Sequence, residues 1–554
     1  MKHFLILLAI IIPAIVSMTR PGYYIMHDDM QMIRQLEMEK CFYDGQIPCR
    51  WGPDLGYGYG YPIFNFYPPL PYIIGQLTRF IGYSFVDTVK VNAILQFTLA
   101  AIGMYLLLKK IVNKNVGLIA AAFYTYAPYH FNNVYIRGAF NEAWASSFFP
   151  FILYFIIICI EKGSPKKVIL LSFSIVGILL SHNPMAILFA PLAATWALFW
   201  LVKTKKYKSI FSLIAAAILS IGISAFFTLP VLFETKYVQI ETMFNNYYSY
   251  VAHFTSLKQL FYSNFWGNGA SFFGPKDGMS FQIGYFHWIS SLVGLLVVVL
   301  LFIKTKKLET TQKLLILSVF LSFFALFMTH ERSGFIWAKL ALLQKVQFSW
   351  RWLNVATCFI SISAALSIYE LSKIKVLRYL PIFSVIFLIL INKIYASPLQ
   401  QGPLTDNEKF TGKAWSNQTT SGIYDYLPKT ARIAPLGPAG NGIDEVIPND
   451  AITTVNVKSG SDWNLISANL KKPAQLYLSR FDFPGTKVYV NTQLINHSYE
   501  PEFGRIKINL NSGQNLIYIK LENTPIRTIG NLVSVLSLFL IGLTLIWKTE
   551  KKKN

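Results

Sequence analysis

The sequence predicts a polytopic α-helical membrane protein of about 12 transmembrane helices, with a β-rich domain inserted before the last helix. Three observations predict it. Hydrophobic residues make up 53% of the 554 and charged residues only 14%, where a soluble domain carries about 25% charged residues. Apolar runs of about 18 to 23 residues, enough to cross about 30 Å of hydrocarbon, recur between short Lys-rich punctuations. Between 395 and 526 the texture changes to apolar and polar residues in alternation, broken by Asn, Gly and Pro, which is the signal of short antiparallel strands.

In chain order the predicted spans lie near 3–19, 86–108, 116–130, 143–160, 166–182, 184–202, 208–231, 282–303, 313–330, 351–371, 377–394 and 527–547. The Lys/Arg clusters at 109–114, 162–167, 203–208, 304–313, 373–378 and 548–553 read as cytoplasmic, since basic residues accumulate on that side. Two apolar spans separate each adjacent pair of clusters, so both termini fall inside. The first span has the flanks of a signal peptide but no clear small-x-small cleavage site before Arg20, and it reads as a retained helix. Leu70 to Tyr83 is apolar but short and Pro-flanked, and reads as a helix lying in the outer interface. Anionic lipid facing the inner loops explains the net charge of +23 without nucleic acid.

The chain thus divides into a membrane domain at 1–394, a β-rich domain at 395–526, and a last helix with a basic tail at 527–554. Two outer loops leave the membrane domain, at 20–85 and 232–281. The first opens with an amphipathic stretch from Asp28 to Phe42 and continues as a Gly/Tyr/Pro run that cannot be regular helix. Within the last outer segment, 475–481, 486–490, 505–510 and 515–521 read as strands of a small sandwich, while 400–450 has no clear period. Cys159 and Cys358 lie in apolar spans. Cys41 and Cys49 share the first outer loop, either bridged or as two free thiols.

Transfer of a sugar from a polyprenyl phosphate requires a carboxylate for the acceptor hydroxyl, cationic groups for the phosphate, and planar rings for the pyranose. Asp28 and Asp29 stand at the junction of a span and an interfacial helix, with Asp28 the first choice for the base and N-capping the alternative role. Arg137 suits a phosphate, and Glu142 five residues on is a second acid, a contributor to a metal site or the ion-pair partner of Arg137. Arg351, between Trp350 and Trp352, and Arg332 are further phosphate candidates at membrane depth, with an aromatic belt the alternative for Arg351 and snorkelling to the interface that for Arg332. His27, Arg50, Trp51, Tyr57, Tyr59, Tyr61, His182 and Asn183 are candidates for contact with sugar or acceptor, the rings of Trp51, Tyr57, Tyr59 and Tyr61 either packing on the sugar or ordering the loop.

The run His27-Asp28, Gly45-Gln46-Ile47-Pro48, Arg50-Trp51, Asp54 to Pro62 and Phe64 to Leu70 resembles the bacterial membrane proteins catalogued as 6-pyruvoyl-tetrahydropterin synthase-related. Arg137-Gly138-Ala139 with Glu142, Ser181-His182-Asn183, and Gln347 to Trp352 resemble the same group. Their helices offer no soluble pterin fold, so the name does not describe a function. Their architecture is similar to the GT-C superfamily of polyprenyl-phosphate-sugar glycosyltransferases, and the tail around Phe483-Pro484-Gly485 resembles that of YfhO-type enzymes. The resemblance implies an essential acid at Asp28, a lipid-linked sugar as donor, a glycan, lipid or protein acceptor in the envelope, and a site on the outer face of a bacterial-type plasma membrane. It leaves room for a divalent metal, Mg or Mn, without assigning ligands. Asp29 stands where relatives usually carry Gly, and Met32 where they often carry His. The alternative from another class is a transporter or flippase of lipid-linked saccharides.

Overall fold

The computed structural model describes residues 2–402 and 404–550, the side chains of 547–550 excepted; the end of the predicted basic tail, 551–554, lies outside the described residues. Helices of ten or more residues, numbered in chain order, are α1 Lys2–Ile15, α2 Gln31–Tyr43, α3 Leu70–Phe80, α4 Phe85–Ile111, α5 Lys114–Thr125, α6 Phe140–Glu161, α7 Pro165–Leu179, α8 Asn183–Thr204, α9 Ile210–Ile223, α10 Ala225–Glu234, α11 Tyr285–Thr305, α12 Thr310–Thr329, α13 Trp352–Ser372, α14 Leu380–Asn392 and α15 Pro525–Glu550. All twelve runs read as spans are therefore helical. Among the described residues eight helices are long and apolar enough to cross a membrane, and α9 with α10 would make a ninth crossing, bent by 75°. The other three, α5, α7 and α14, have 12, 15 and 13 residues. At 1.5 Å per residue they reach only about 18 to 23 Å, short of the hydrocarbon thickness.

The bundle is built around α13, in which every residue from Trp352 to Ile368 is buried. Its Ser361, Ser363, Ala364, Ala365 and Ser367 are small, which lets neighbouring helices approach closely; Gly294 of α11 lies against Ser367, and Ser291 and Ser363 share a 2.7 Å hydrogen bond. Three Lys-rich turns meet at one end of the bundle, where Lys110 pairs with Glu161 at 2.6 Å and Lys206 Nζ donates to the Glu161 carbonyl. The last helix is the opposite of α13, with Leu532, Val535, Leu536, Phe539 and Leu540 all exposed as lipid-facing residues would be.

Nine strands form the C-terminal domain: β1 Ile443–Ile447, β2 Ile452–Ser459, β3 Trp463–Leu470, β4 Ala474–Phe481, β5 Thr486–Val490, β6 Gln493–Ile495, β7 Ser498–Tyr499, β8 Arg505–Leu510 and β9 Gly513–Leu521. They make two antiparallel sheets, ordered β1-β4-β8-β7 and β2-β3-β9-β5-β6. Leu476, Leu478, Ile506 and Ile508 from the first pack against Ile466, Val488, Ile517 and Ile519 from the second. The period-2 burial of β4 and β9 places one face of each in that core.

The first loop is the seat of this sandwich. Trp51 is buried against Phe483, with Arg480 4.7 Å above its ring, and Tyr59 stacks on Phe481 at 5.3 Å while its hydroxyl donates to Asp444. Gly60 holds φ +71°, and a Cβ there would fall 2.2 Å from the Trp51 ring nitrogen, so glycine is required. Cys41 and Cys49 are bonded, closing the turn between α2 and this seat. The interfacial reading of 70–83 corresponds to α3, whose Leu77 and Phe80 are exposed beside Tyr43.

Candidate functional site

The carboxylate at 28 is placed by backbone pairing. The His27 and Asp28 N–H groups donate to the carbonyls of Ile136 and Arg137 at 2.9 and 2.8 Å, and Gln31 Nε2 donates to the Gly138 carbonyl. Gly138 turns the chain into α6 at φ +65°, where a Cβ would strike Met26. Capping does not explain either aspartate, because α2 begins after Met30 with no side-chain cap. Asp28 Oδ2 instead accepts from Arg34 Nη1 at 2.9 Å, and that guanidinium also bonds the Tyr67 hydroxyl and covers its ring. About a third of the Asp28 side chain, 34%, remains open. Asp29 turns the other way: Tyr23 donates to one oxygen at 2.9 Å and Lys409 bonds the other at 2.5 Å. Burial raises the Asp29 carboxyl, and Lys409 opposes the rise.

Beside Asp28 lies a buried ionic cluster. Arg137 Nη1 and Nη2 grip Glu142 at 2.8 Å each, in the forked geometry that guanidinium and carboxylate favour. Arg351 Nε donates to the same carboxylate at 2.8 Å, and Asn354 Nδ2 at 3.2 Å. Trp350 covers the Arg137 guanidinium at 4.2 Å. Two arginines thus share one glutamate, which leaves a surplus positive charge in a buried setting. The ion-pair role weighed for Glu142 is the one observed, and Arg351 joins it from the start of α13. Glu142 is correspondingly sealed, with 3% of its side chain exposed. His182 caps α8 by accepting from the Met185 N–H, and its Nε2 stands 3.9 Å from Glu142. Burial, with Arg351 next, pushes its imidazole down to about 3, so it is neutral beside the arginines. Asn183 follows as the half-buried first residue of α8.

Several predicted contacts lie elsewhere. Arg332 is exposed on the short turn Glu331–Ser333, outside the cluster. Trp51, Tyr59 and Tyr61 are buried in the seat of the sandwich, with Tyr61 tilted over Tyr426. Tyr57, half-buried at φ +63°, packs against the same group. Their rings order the loop, the second of the two roles expected of them. Arg50 is buried away from Asp28, bonding Asn65, Asn531 and the Phe226 carbonyl. Burial and the nearby Arg527 push its guanidinium down to about 9. His27 is exposed at the rim.

Three residues at the site escape the sequence reading. Arg34 sits on the polar face of the amphipathic helix six residues after Asp28, a spacing with no signature. Lys409 and Asp425 come from 400–450, where no period exists to read. Asp425 is electrostatically close to both Arg34 and Asp28 and is pushed up to about 6, chiefly by burial. Among the described residues no group of three or more His, Cys, Asp or Glu side chains is placed to hold a metal ion. Asp28 and Asp29 face Arg34 and Lys409, so the residues present do not fit the divalent ion that the resemblance leaves room for.

The profile of a family described as the 6-pyruvoyl-tetrahydropterin synthase related domain, a membrane protein, matches residues 64–398. An uncharacterized protein of Lactococcus lactis subsp. cremoris (strain MG1363) is 26% identical over 245 residues, 42% of this chain and 40% of that protein's length. Two crystal structures of the Archaeoglobus fulgidus oligosaccharyltransferase are similar over 79% of this chain and 60% of theirs. The apo form gives a TM-score of 0.43 at 12% identity. The form tethered through a disulfide to an acceptor peptide with the NVT sequon gives 0.44 at 13%.

Proposed function

The chain belongs to the 6-pyruvoyl-tetrahydropterin synthase related family of membrane proteins, and from that premise we propose that it is an integral membrane glycosyltransferase, transferring a sugar from a polyprenyl-phosphate donor to an acceptor of the cell envelope. One observation carries the reading: Asp28, partly open, is hydrogen-bonded through its backbone to Arg137, whose side chain and that of Arg351 share a single carboxylate. An acid able to engage a hydroxyl thus adjoins a cationic cluster able to hold a departing phosphate. The C-terminal sandwich lies on the side where Asp28 is, and the Lys-rich turns lie at alternate helix ends, which favours an extracytoplasmic site under the positive-inside rule.

In this reading Asp28 and Arg34 orient the acceptor hydroxyl. Arg137 and Arg351 stabilise the charge that grows on the phosphate as it leaves. Their donors are fixed in advance by Glu142, Asn133 and Gln347, so little reorganisation accompanies the reaction. The test is Asp28→Asn in membranes supplied with undecaprenyl-phosphate hexoses labelled in the sugar. Transfer is expected to vanish while the protein is made in normal amount; transfer at the wild-type rate removes Asp28 from the mechanism.

One feature favours a second reading, a flippase of lipid-linked saccharides. The α9–α10 pair is bent by 75° at Ser224, and broken helices serve transporters. That break packs on the last helix, where Ser534 Oγ accepts from the Phe226 N–H. Proteoliposomes that invert a labelled lipid-linked sugar without cleaving it would favour this alternative.

A further inference from the structure

We infer that Asp425, carried by the segment between the membrane bundle and the sandwich, is the proton acceptor for the hydroxyl that Asp28 and Arg34 orient. The inference rests on the transferase reading above. It starts from an occupancy difference between two carboxylates. Asp28 Oδ2 already accepts from Arg34 at 2.9 Å and from Gln31 at 3.4 Å. Among the described residues no group donates a hydrogen bond to the Asp425 carboxylate.

Its position is nevertheless well determined. The Asp425 N–H donates to the Gly422 carbonyl, in a turn that Gly422 makes at φ +66°. On one side the Tyr424 carbonyl accepts from Thr242 Oγ1. On the other, Tyr426 stacks on Phe66 at 5.8 Å and leans on Tyr61 at 6.1 Å. Phe66 adjoins Tyr67, whose hydroxyl lies 3.0 Å from Arg34 Nη1. A contiguous path of rings and hydrogen bonds therefore brings residue 425 to the Arg34–Asp28 pair, although nearly 400 residues of chain separate them.

The charged and titratable groups facing Asp425 are Arg34, Asp28, Tyr61, Tyr426 and Tyr248. Burial pushes its carboxyl up to about 6, Arg34 works against the shift and Asp28 adds to it. A base is most effective when its pKa lies near the working pH. The step balances without a co-reactant. The acceptor O–H breaks and its proton goes to Asp425, the acceptor oxygen bonds the sugar C1, and the C1–O bond to phosphate breaks with its electron pair on the phosphate. Asp425 then returns the proton to the phosphate or to water.

The experiment uses the full chain in proteoliposomes with labelled undecaprenyl-phosphate hexoses and an envelope acceptor fraction, comparing wild type, Asp425→Asn and Asp425→Glu. Asp425→Asn is expected to lower kcat by about 100-fold or more, the size of a general-base contribution, with donor KM little changed. It is also expected to remove the fall in wild-type activity below pH 6. Asp425→Glu is expected to keep that acid limb and recover part of the rate. Wild-type turnover with an unchanged rate and pH profile in Asp425→Asn overturns this inference alone. No turnover by wild type with any hexose tested overturns the transferase reading, and this inference with it.

Discussion

Glu142→Gln isolates what holds the arginine cluster together. The carboxylate accepts two hydrogen bonds from Arg137 and one from Arg351 at 2.8 Å, and one from Asn354 at 3.2 Å. Hydrogen bonds to a charged group contribute about 1.5 to 3 kcal/mol each, so four of them give a gross term near 6 to 12 kcal/mol. Desolvation of the buried ions offsets several kcal/mol of this, and removing one partner of such a pair typically destabilises by about 3 to 5 kcal/mol. The amide preserves volume, so no cavity adds to the loss. It turns one acceptor into an NH2 that faces a guanidinium or Asn354, leaving two buried cations without the carboxylate that paired them. Unfolding of the purified full chain by SDS in mixed micelles should therefore show a loss of about 3 to 5 kcal/mol. Adding Arg137→Gln should recover part of it, since one stranded charge is then removed. A loss below about 0.5 kcal/mol, or a double variant whose losses simply add, refutes the account of a cluster held by one shared carboxylate.

Three further outcomes follow from the same contacts. Asp425 holds a proton in the folded state up to about pH 6, whereas the unfolded chain releases it near pH 4, so its contribution weakens the fold as pH rises from about 4 to 6. Asp425→Asn should consequently be the more stable protein above pH 6, by at most about 3 kcal/mol, and equal to wild type near pH 4; stability that does not diverge with pH contradicts the assigned burial. Opening the Cys41–Cys49 loop, eight residues apart, with Cys41→Ser and Cys49→Ser together should lower unfolding stability by about 2 to 3 kcal/mol, and SDS titration of the double variant with and without reductant in the wild type measures it. Trp51→Ala empties a site 1% exposed, a change of about 3 to 5 kcal/mol concentrated where the sandwich sits, so limited proteolysis should cut between 395 and 442 sooner while the bundle fragment survives; unchanged cleavage means the seat does not depend on that ring.

Long apolar runs and period-2 alternation carry their meaning locally, which is why all twelve helical runs and the strands near 475–481, 486–490, 505–510 and 515–521 were legible. β1, β2, β3 and the short β6 and β7 were not. In β2 the burial along 452–459 is shallow, with Thr453, Thr454, Val455 and Asn456 all exposed, so no apolar face marks it. The bend at Ser224 was also hidden, because composition reads the same through a broken helix as through a straight one. At the candidate site, Asp28, Arg137, Glu142 and Arg351 are legible because charge amid apolar sequence stands out. The aromatic run reads two ways for a physical reason: rings that suit a pyranose face suit a domain interface equally well, and only the partner distinguishes them. Here the partners are Phe481, Phe483 and Tyr426.

That interface changes what the sandwich and the last helix do for the protein. The segment leading into them is joined to the first loop and bundle at separate points: Gln401 and Gly402 pair with Tyr24 and Tyr23, the Asp406 carboxylate accepts from the Phe85 and Val86 N–H groups at the start of α4, and Lys409 bonds Asp29. Asp406 there neutralises the positive end of a 27-residue helix. The entropy of closing loops this long grows only slowly with length, so each added junction after the first gains its contacts against a small further loss. Lys409, held to Asp29, and Tyr426, held to Phe66, bracket residue 425 and bring it to the site from both sides. The second carboxylate beside Asp28 is therefore present only when the C-terminal segment is docked, and an anchor that merely tethered a binding domain would have no need of these junctions.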